Sequence, residues 1–215
     1  MTKPFFSVIV PTHNSETFIR NCLRSIKTQS YRNYELIIVC DSCDDFTWEV
    51  AKRFTHPDNI YFTECHHDGL TRNKGLDNAQ GDWILFADDD DWFLHEFAFE
   101  MLAEQIKGNP DADVLAFGFI WKGVGYAKPI RDMNGIRAFY PAVWNKAYKR
   151  SFIDTLRFKP IQNSLTEAAD KDWTNRLLAM SPQIATFDQP LYYYNYLRPG
   201  SQTAGFMQEK GVMPC

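Results

Sequence analysis

Trp83-Ile84-Leu85-Phe86-Ala87-Asp88-Asp89-Asp90-Asp91-Trp92 is an apolar run that ends abruptly in four carboxylates, and its reading decides the fold. The five apolar residues follow a turn signal, Gly81-Asp82, and read as a buried strand. Charge then accumulates at the strand's C-terminal end. If the run continues as extended chain, alternate side chains share a face, which sets Asp88 with Asp90 and Asp89 with Asp91. Two converging carboxylates repel and raise one another's pKa unless a positive group lies between them. Hard divalent cations such as Mg2+ or Mn2+ take oxygen ligands of this type. Asp88 and Asp90 are therefore candidate metal and ligand residues. An acidic run more often marks a solvated turn, but here a buried strand feeds it directly, and open parallel sheets bind ligands at the carboxyl ends of their strands.

Working outward, the chain alternates. Phe5 to Val10 reads as a first buried strand, with Pro11-Thr12-His13-Asn14 as its exit and a helix carrying Phe18, Cys22, Leu23 and Ile26 on one face. Tyr34 to Cys40 is a second strand, left through Asp41-Ser42-Cys43-Asp44-Asp45, and a short helix follows from Phe46 to Phe54. A third strand (Ile60 to Cys65) and a helix from Gly69 to Ala79 lead to the acidic strand. Such alternation predicts an α/β fold with right-handed crossovers and a mainly parallel sheet flanked by helices. It places Thr12, Asp41 and the Asp88/Asp90 pair along one rim. Beyond the acidic run the pattern predicts a helix over Glu96 to Lys107, a strand over Val114 to Trp121, a loop over Lys122 to Arg131, extended chain over Ala142 to Lys149, a polar loop over Asn163 to Ala169, a helix from about Asp170 to Met180, and a tyrosine-rich strand within Ile184 to Leu197.

The 215 residues, 45% hydrophobic and 23% charged, describe an ordinary globular chain read here as a single domain. A net charge of -4 leaves no basic excess for phosphate neutralisation, so a general nucleic-acid binder is excluded. No apolar stretch approaches the roughly 20 residues of a membrane helix. The expectation is a cytoplasmic protein with at most peripheral membrane contact. Five cysteines, an odd number, do not form a secreted disulfide framework. A zinc site from Cys40, Cys43, Cys65 and His66 or His67 is the sharper alternative to reduced thiols.

Several stretches together resemble the nucleotide-sugar glycosyltransferases of family 2, which have the GT-A fold. They are Ser7-Val8-Ile9-Val10-Pro11-Thr12-His13-Asn14; Glu35 to Val39 with Asp41 and Asp45; Thr71-Arg72-Asn73-Lys74-Gly75-Leu76; Gly81 to Phe86; and Asp88 to Trp92. Val143 to Arg150 and Pro190 to Tyr194 resemble the later half. The resemblance implies a nucleotide-sugar-binding half (1–95), an acceptor half carrying the catalytic base (96–200) and a flexible tail (201–215). It implies a UDP-sugar donor and a glycan or lipid-linked saccharide as the group that receives the sugar.

By the same resemblance, Asp41 receives the nucleobase with Thr12 lining its pocket, and Arg72 faces the base or the diphosphate. Asp88 reaches ribose or metal with Asp89 beside it, and Asp90 is the Mn2+ or Mg2+ ligand proper. Family members often carry Glu-Asp at the start of a late helix. Here Ala169 replaces the Glu and Asp170 keeps the Asp position, so Asp170 is the candidate base, with Asp172 as the alternative. Arg198 is a further candidate clamp on the phosphates. Three rivals compete. A phosphohydrolase would use Asp88 as nucleophile and Asp90 as acid, but Trp92 stands where such enzymes carry Thr or Val. A nucleotidyltransferase would need a glycine-rich loop that Pro11 to Ser15 lacks. A sugar-binding module without turnover would explain Ala169.

Overall fold

The computed structural model describes residues 3–133, 136–161 and 168–196. Strand and helix alternate through the first half: β1 (Phe6–Thr12), α1 (Ile19–Lys27), β2 (Tyr34–Asp41), α2 (Thr47–Ala51), β3 (Ile60–Thr63), α3 (Asp68–Asn78) and β4 (Trp83–Phe86). The second half holds β5 (Trp92–Phe93), α4 (Ala98–Gly108), β6 (Val114–Trp121), β7 (Gly125–Ala127), β8 (Ile130–Met133), β9 (Ile136–Phe139), β10 (Lys146–Lys149), α5 (Ala169–Ala179) and β11 (Ile184–Tyr194). Among the described residues one mixed sheet runs in the order β3-β2-β1-β4-β10-β6-β11-β5, with β7 beside β6 and a separate β8-β9 hairpin.

The pattern of β1 explains why it is central. All seven of its residues are buried, as a strand covered on both faces requires. Phe6, Val8 and Val10 face a core built with Ile19, Leu23 and Ile26 of α1 and Phe99 and Leu102 of α4. Ile9 faces the opposite core, shared with Val39, Ile84, Phe86 and Trp173 of α5. The same sheet thus packs a helical layer on each side. On α1 the buried positions Ile19, Cys22, Leu23 and Ile26 recur at helical spacing, which turns one stripe inward.

Parallel pairing joins β3, β2, β1 and β4, so the exits of these strands line up along one rim. The antiparallel pairings of the second half leave no comparable mark in the sequence pattern. Strand β10 runs antiparallel between β4 and β6, and the two-residue β5 pairs antiparallel with Tyr192 and Tyr193 of β11. Because β5 begins one residue after Asp91, this short ladder carries the end of β11 to the acidic run. Two expectations are corrected. The helix placed over Phe46 to Phe54 spans only Thr47–Ala51, and the loop placed over Lys122 to Arg131 contains β7 and the start of β8. Part of the polar loop over Asn163 to Ala169, Arg198 and the tail 201–215 lie outside the described residues.

Gly81 marks a close approach. A Cβ built there would stand 2.5 Å from the Ser7 backbone nitrogen and 2.6 Å from the Phe6 carbonyl carbon. Its own N–H donates to the Ser7 hydroxyl at 2.8 Å. Main-chain atoms of the central strand cannot give way, so Gly81→Ala is expected to lower stability by about 2–3 kcal/mol. Gly108→Ala, where an added Cβ meets nothing within 4 Å, is expected to be neutral or to gain about 0.5 kcal/mol. Urea midpoints measured on the two variants check this contrast.

Candidate active site

Three rim turns adopt left-handed backbone at residues other than glycine: Asn14 (φ 45°) after β1, Ser42 (φ 51°) after β2 and His66 (φ 49°) after β3. Such conformations cost energy and persist only where neighbours hold them. The neighbours are visible. Asn14 accepts the Asp44 N–H through its side-chain oxygen at 2.9 Å. Asp45 accepts the Glu16 N–H at 3.0 Å, and Glu16 in turn accepts the Phe46 N–H at 3.0 Å. The β1 and β2 exits are stitched into one wall.

Asp41 sits at the centre of that wall and is 4% exposed. Its carboxylate accepts the backbone N–H groups of His66 (3.1 Å) and His67 (2.9 Å), the Thr71 hydroxyl (2.9 Å) and, more weakly, the Cys65 thiol at 3.4 Å. Burial pushes its pKa up, but these donors outweigh burial and hold it below the usual carboxylate value. His67 caps α3 by accepting the N–H groups of Gly69 and Leu70 on Nδ1, so Nδ1 carries no proton and Nε2–H donates to the Ile161 carbonyl at 2.6 Å. The zinc alternative is corrected here. Cys40 is fully buried in the core, the Cys65 thiol is turned toward Asp41, and among the described residues no three or more His, Cys, Asp or Glu side chains are placed to hold a metal ion by themselves.

Arg72 projects from α3 toward the rim and is 4% exposed. Its guanidinium pairs with Asp88 at 2.7 Å and Asp68 at 3.0 Å, and lies 3.7 Å from Asp170. Burial works against its charge, yet Asp170, Asp88 and Asp68 together push its pKa up. Asp68 escaped the sequence reading, although its place four residues before Arg72 on the helix was a usable signal.

The acidic run itself differs from the expectation. Strand β4 stops at Phe86, and the Asp91 N–H turns back to the Asp88 carbonyl at 3.2 Å. Pleat alternation therefore does not set the directions of these side chains; a turn does. Asp89 accepts the Thr12 hydroxyl at 2.6 Å, which ties both side chains to each other. Asp91 is fully buried and accepts the Asn195 N–H at 2.8 Å. Asn195 also donates its side-chain amide to the Asp90 carbonyl at 3.2 Å, and the Tyr192 hydroxyl accepts the Asp88 N–H at 2.9 Å. These two residues of the β11 end lie about a hundred positions away in sequence, and no local pattern announces them.

Asp88 remains beside Arg72, with Asp90 near enough to raise its pKa. Burial and the Asp170 and Asp90 charges push Asp88 up to about 7 despite the Arg72 guanidinium. As a donor set for a hard cation these oxygens are suitable in kind, and the charge they carry exceeds what one arginine neutralises. The described protein atoms supply at most part of a coordination shell. Asp170, in the first turn of α5, accepts the Val143 N–H on Oδ2 at 3.2 Å, while its Oδ1 is buried with no hydrogen-bond partner. Burial, only partly offset by Arg72, raises its pKa. Asp172, the alternative base, instead pairs with Arg176 at 2.6 Å, on the same helix.

Residues 7–169 match the family described as Glycosyl transferase family 2, and the chain belongs to that family. It is 28% identical to the glycosyltransferase GlyA of Streptococcus pneumoniae over 220 residues, covering 91% of this chain and 31% of GlyA. It is 26% identical over 208 residues to the poly(ribitol-phosphate) beta-N-acetylglucosaminyltransferase TarS of Staphylococcus aureus, covering 91% of this chain and 36% of TarS. The chain thus spans about a third of the length of both. In three dimensions it superposes on TarS 1-349 in complex with UDP-GlcNAc with a TM-score of 0.76 at 23% identity, over 94% of this chain and 63% of that one. Against the mannosyltransferase PcManGT of Pyrobaculum calidifontis, crystallised with GDP-Man and Mn2+, the TM-score is 0.70 at 19% identity, over 93% of this chain and 59% of that one. The fold is the GT-A fold. No helix among the described residues is long and apolar enough to cross a membrane.

A pH dependence arises from Asp88. Its pKa is about 7 in the fold against 3.8 for the free group, so between these values the folded state binds more protons than the unfolded one. Its contribution to stability is complete at low pH and is lost as pH rises through about 4 to 7. In metal-free buffer Asp88→Asn is expected to gain on the unsubstituted protein by about 2 kcal/mol over that interval, a figure already lowered for the side chain's partial exposure. Denaturant titrations of both proteins at several pH values read the difference.

Proposed function

We propose that the protein transfers a sugar from a nucleotide-sugar, with UDP as the nucleotide, to a hydroxyl of a glycan or lipid-linked saccharide, with inversion at the anomeric carbon. The observation that carries this reading is the convergence, through Arg72, of the rim carboxylate Asp88 with the helix-start carboxylate Asp170. In this reading Asp88 serves the donor and Asp170 the attacking hydroxyl of a single displacement. Family membership favours this reading over a phosphohydrolase or a nucleotidyltransferase. The UDP-GlcNAc complex of TarS supports a uridine donor.

Asp41 and Thr12 form the base wall, where Asp41 steadies the β3–α3 turn whose backbone surrounds the base. Asp88 and Asp89 border the ribose and diphosphate. Asp90, with Asp88, would hold a divalent cation, for which PcManGT with Mn2+ is a precedent. That cation supplies positive charge to the departing diphosphate. Arg72 supplies a fixed positive charge to the same region from within the protein, where low polarity strengthens it. Asp170 accepts the proton of the attacking hydroxyl on its carboxylate. In the step the hydroxyl oxygen bonds to the anomeric carbon, the bond to the β-phosphate oxygen breaks, and its electron pair leaves with the nucleoside diphosphate. A raised resting pKa makes Asp170 a better base than an exposed aspartate would be.

Two measurements test this. UDP with Mn2+ is expected to raise the melting temperature while UDP alone does so weakly; an equal response to every nucleoside diphosphate would count against the donor assignment. Asp170→Asn is expected to reduce sugar transfer from the best donor of a UDP-sugar panel by about 10²- to 10⁴-fold and leave UDP affinity intact. Undiminished transfer would remove Asp170 from the base role.

A further inference from the structure

Lys146, at the start of β10, is fully buried and belongs to no part of the site described above. Its ammonium donates to the carbonyls of Tyr140 (2.7 Å) and Ala142 and to the side-chain oxygen of Asn145 (2.7 Å). An ammonium has three N–H bonds and no acceptor, so each proton has one oxygen. The Phe139 ring covers a further side, with its centroid 4.7 Å from Nζ. A buried cation without a directly bonded carboxylate is costly, and burial pushes the Lys146 pKa down to about 7 although Asp170 pulls it upward.

The return for this cost is a turn built by side chains. Four successive carbonyls are all met by side-chain donors: Tyr140 and Ala142 by Lys146, Pro141 by the Thr174 hydroxyl at 2.8 Å, and Val143 by the Tyr148 hydroxyl at 3.1 Å. With its oxygens drawn inward, the turn directs the Val143 N–H to Asp170 Oδ2. The next residue, Trp144, stacks on Tyr192 at 4.9 Å and 14°, and Tyr192 holds the Asp88 N–H. The turn therefore touches the Asp170 carboxylate directly, and reaches the backbone of Asp88 through Tyr192.

We propose that Lys146 is a positioning residue for the transfer step: it shapes the turn 140–145 so that the Val143 N–H engages Asp170 Oδ2 and fixes the orientation of the Asp170 carboxylate toward the incoming hydroxyl. This rests on the reading of Asp170 as the base. A small displacement of a catalytic group can cost about 100-fold in rate without loss of binding, which separates this role from simple structural support.

The test uses the full chain and its best donor from the UDP-sugar panel, with Mn2+. Lys146→Met is expected to lower kcat about 30- to 100-fold while the donor KM and the UDP Kd stay within about threefold. Thr174→Val removes a second tie of the same turn without touching the buried charge, and is expected to lower kcat about 3- to 10-fold with the same unchanged KM. In both variants the Val143 amide is expected to exchange faster with deuterium than in the unsubstituted protein. A Lys146→Met protein with unaltered kcat overturns the proposal, as does a rise in KM that accounts for the whole loss. Should Lys146→Met not fold, Thr174→Val decides alone: full kcat with unaltered Val143 exchange overturns the proposal. An unsubstituted protein that binds no UDP and turns over no donor defeats the functional reading itself, a result distinct from active protein indifferent to these substitutions.

Discussion

A single buried guanidinium sets the terms for the rest of the cleft. Arg72 faces Asp68, Asp88 and Asp170; burial first, and the neighbouring carboxylates second, leave Asp88 and Asp170 with raised pKa values despite its charge. Removing water from such a group is unfavourable unless the geometry is good and the partners are fixed. The fold fixes all three: Asp68 by the helix that carries Arg72, Asp88 by the turn after β4, and Asp170 by the first turn of α5. Two helices and one strand end, drawn from separate parts of the chain, meet at one positive charge.

That arrangement favours the arrival of further positive charge. On the proposed function, a divalent cation near Asp88 and Asp90 would reduce the net negative charge of the cleft, whereas a nucleoside diphosphate alone would meet net repulsion. On that reading, cation and diphosphate would occupy the site together. Asp89 and Asp91 are each held by the fold, one by the Thr12 hydroxyl and the other by burial against Asn195. Adjacent carboxylates of one acidic run thus take different partners: Asp88 the Arg72 guanidinium, Asp89 the Thr12 hydroxyl and Asp91 the Asn195 N–H.

Much of this was legible in the sequence. The β1, β2 and β4 segments read as near-continuous apolar runs because both sheet faces are covered, and the alternation with α1 and α3 fixed the parallel half of the sheet. Thr12, Asp41 and the acidic run could be placed at one rim because strand exits carry the ligands of such sheets. What failed was the direction of individual side chains. Alternation holds only inside a strand, and β4 ends one residue before Ala87, so the acidic run obeys a turn instead. Asp68, Tyr192, Asn195 and Lys146 were not found because their roles arise from contacts formed in the folded chain. Of these only Asp68 lay in helical register with a residue already singled out.

A crystal of the protein grown with an intact UDP-sugar and Mn2+ tests the central claim most directly. The expected result is an anomalous manganese peak bonded to Asp90, the diphosphate beside Arg72, and the anomeric carbon on the path between the metal and the Asp170 carboxylate. A donor bound with its diphosphate remote from Arg72, or manganese seated away from the acidic turn, would contradict it.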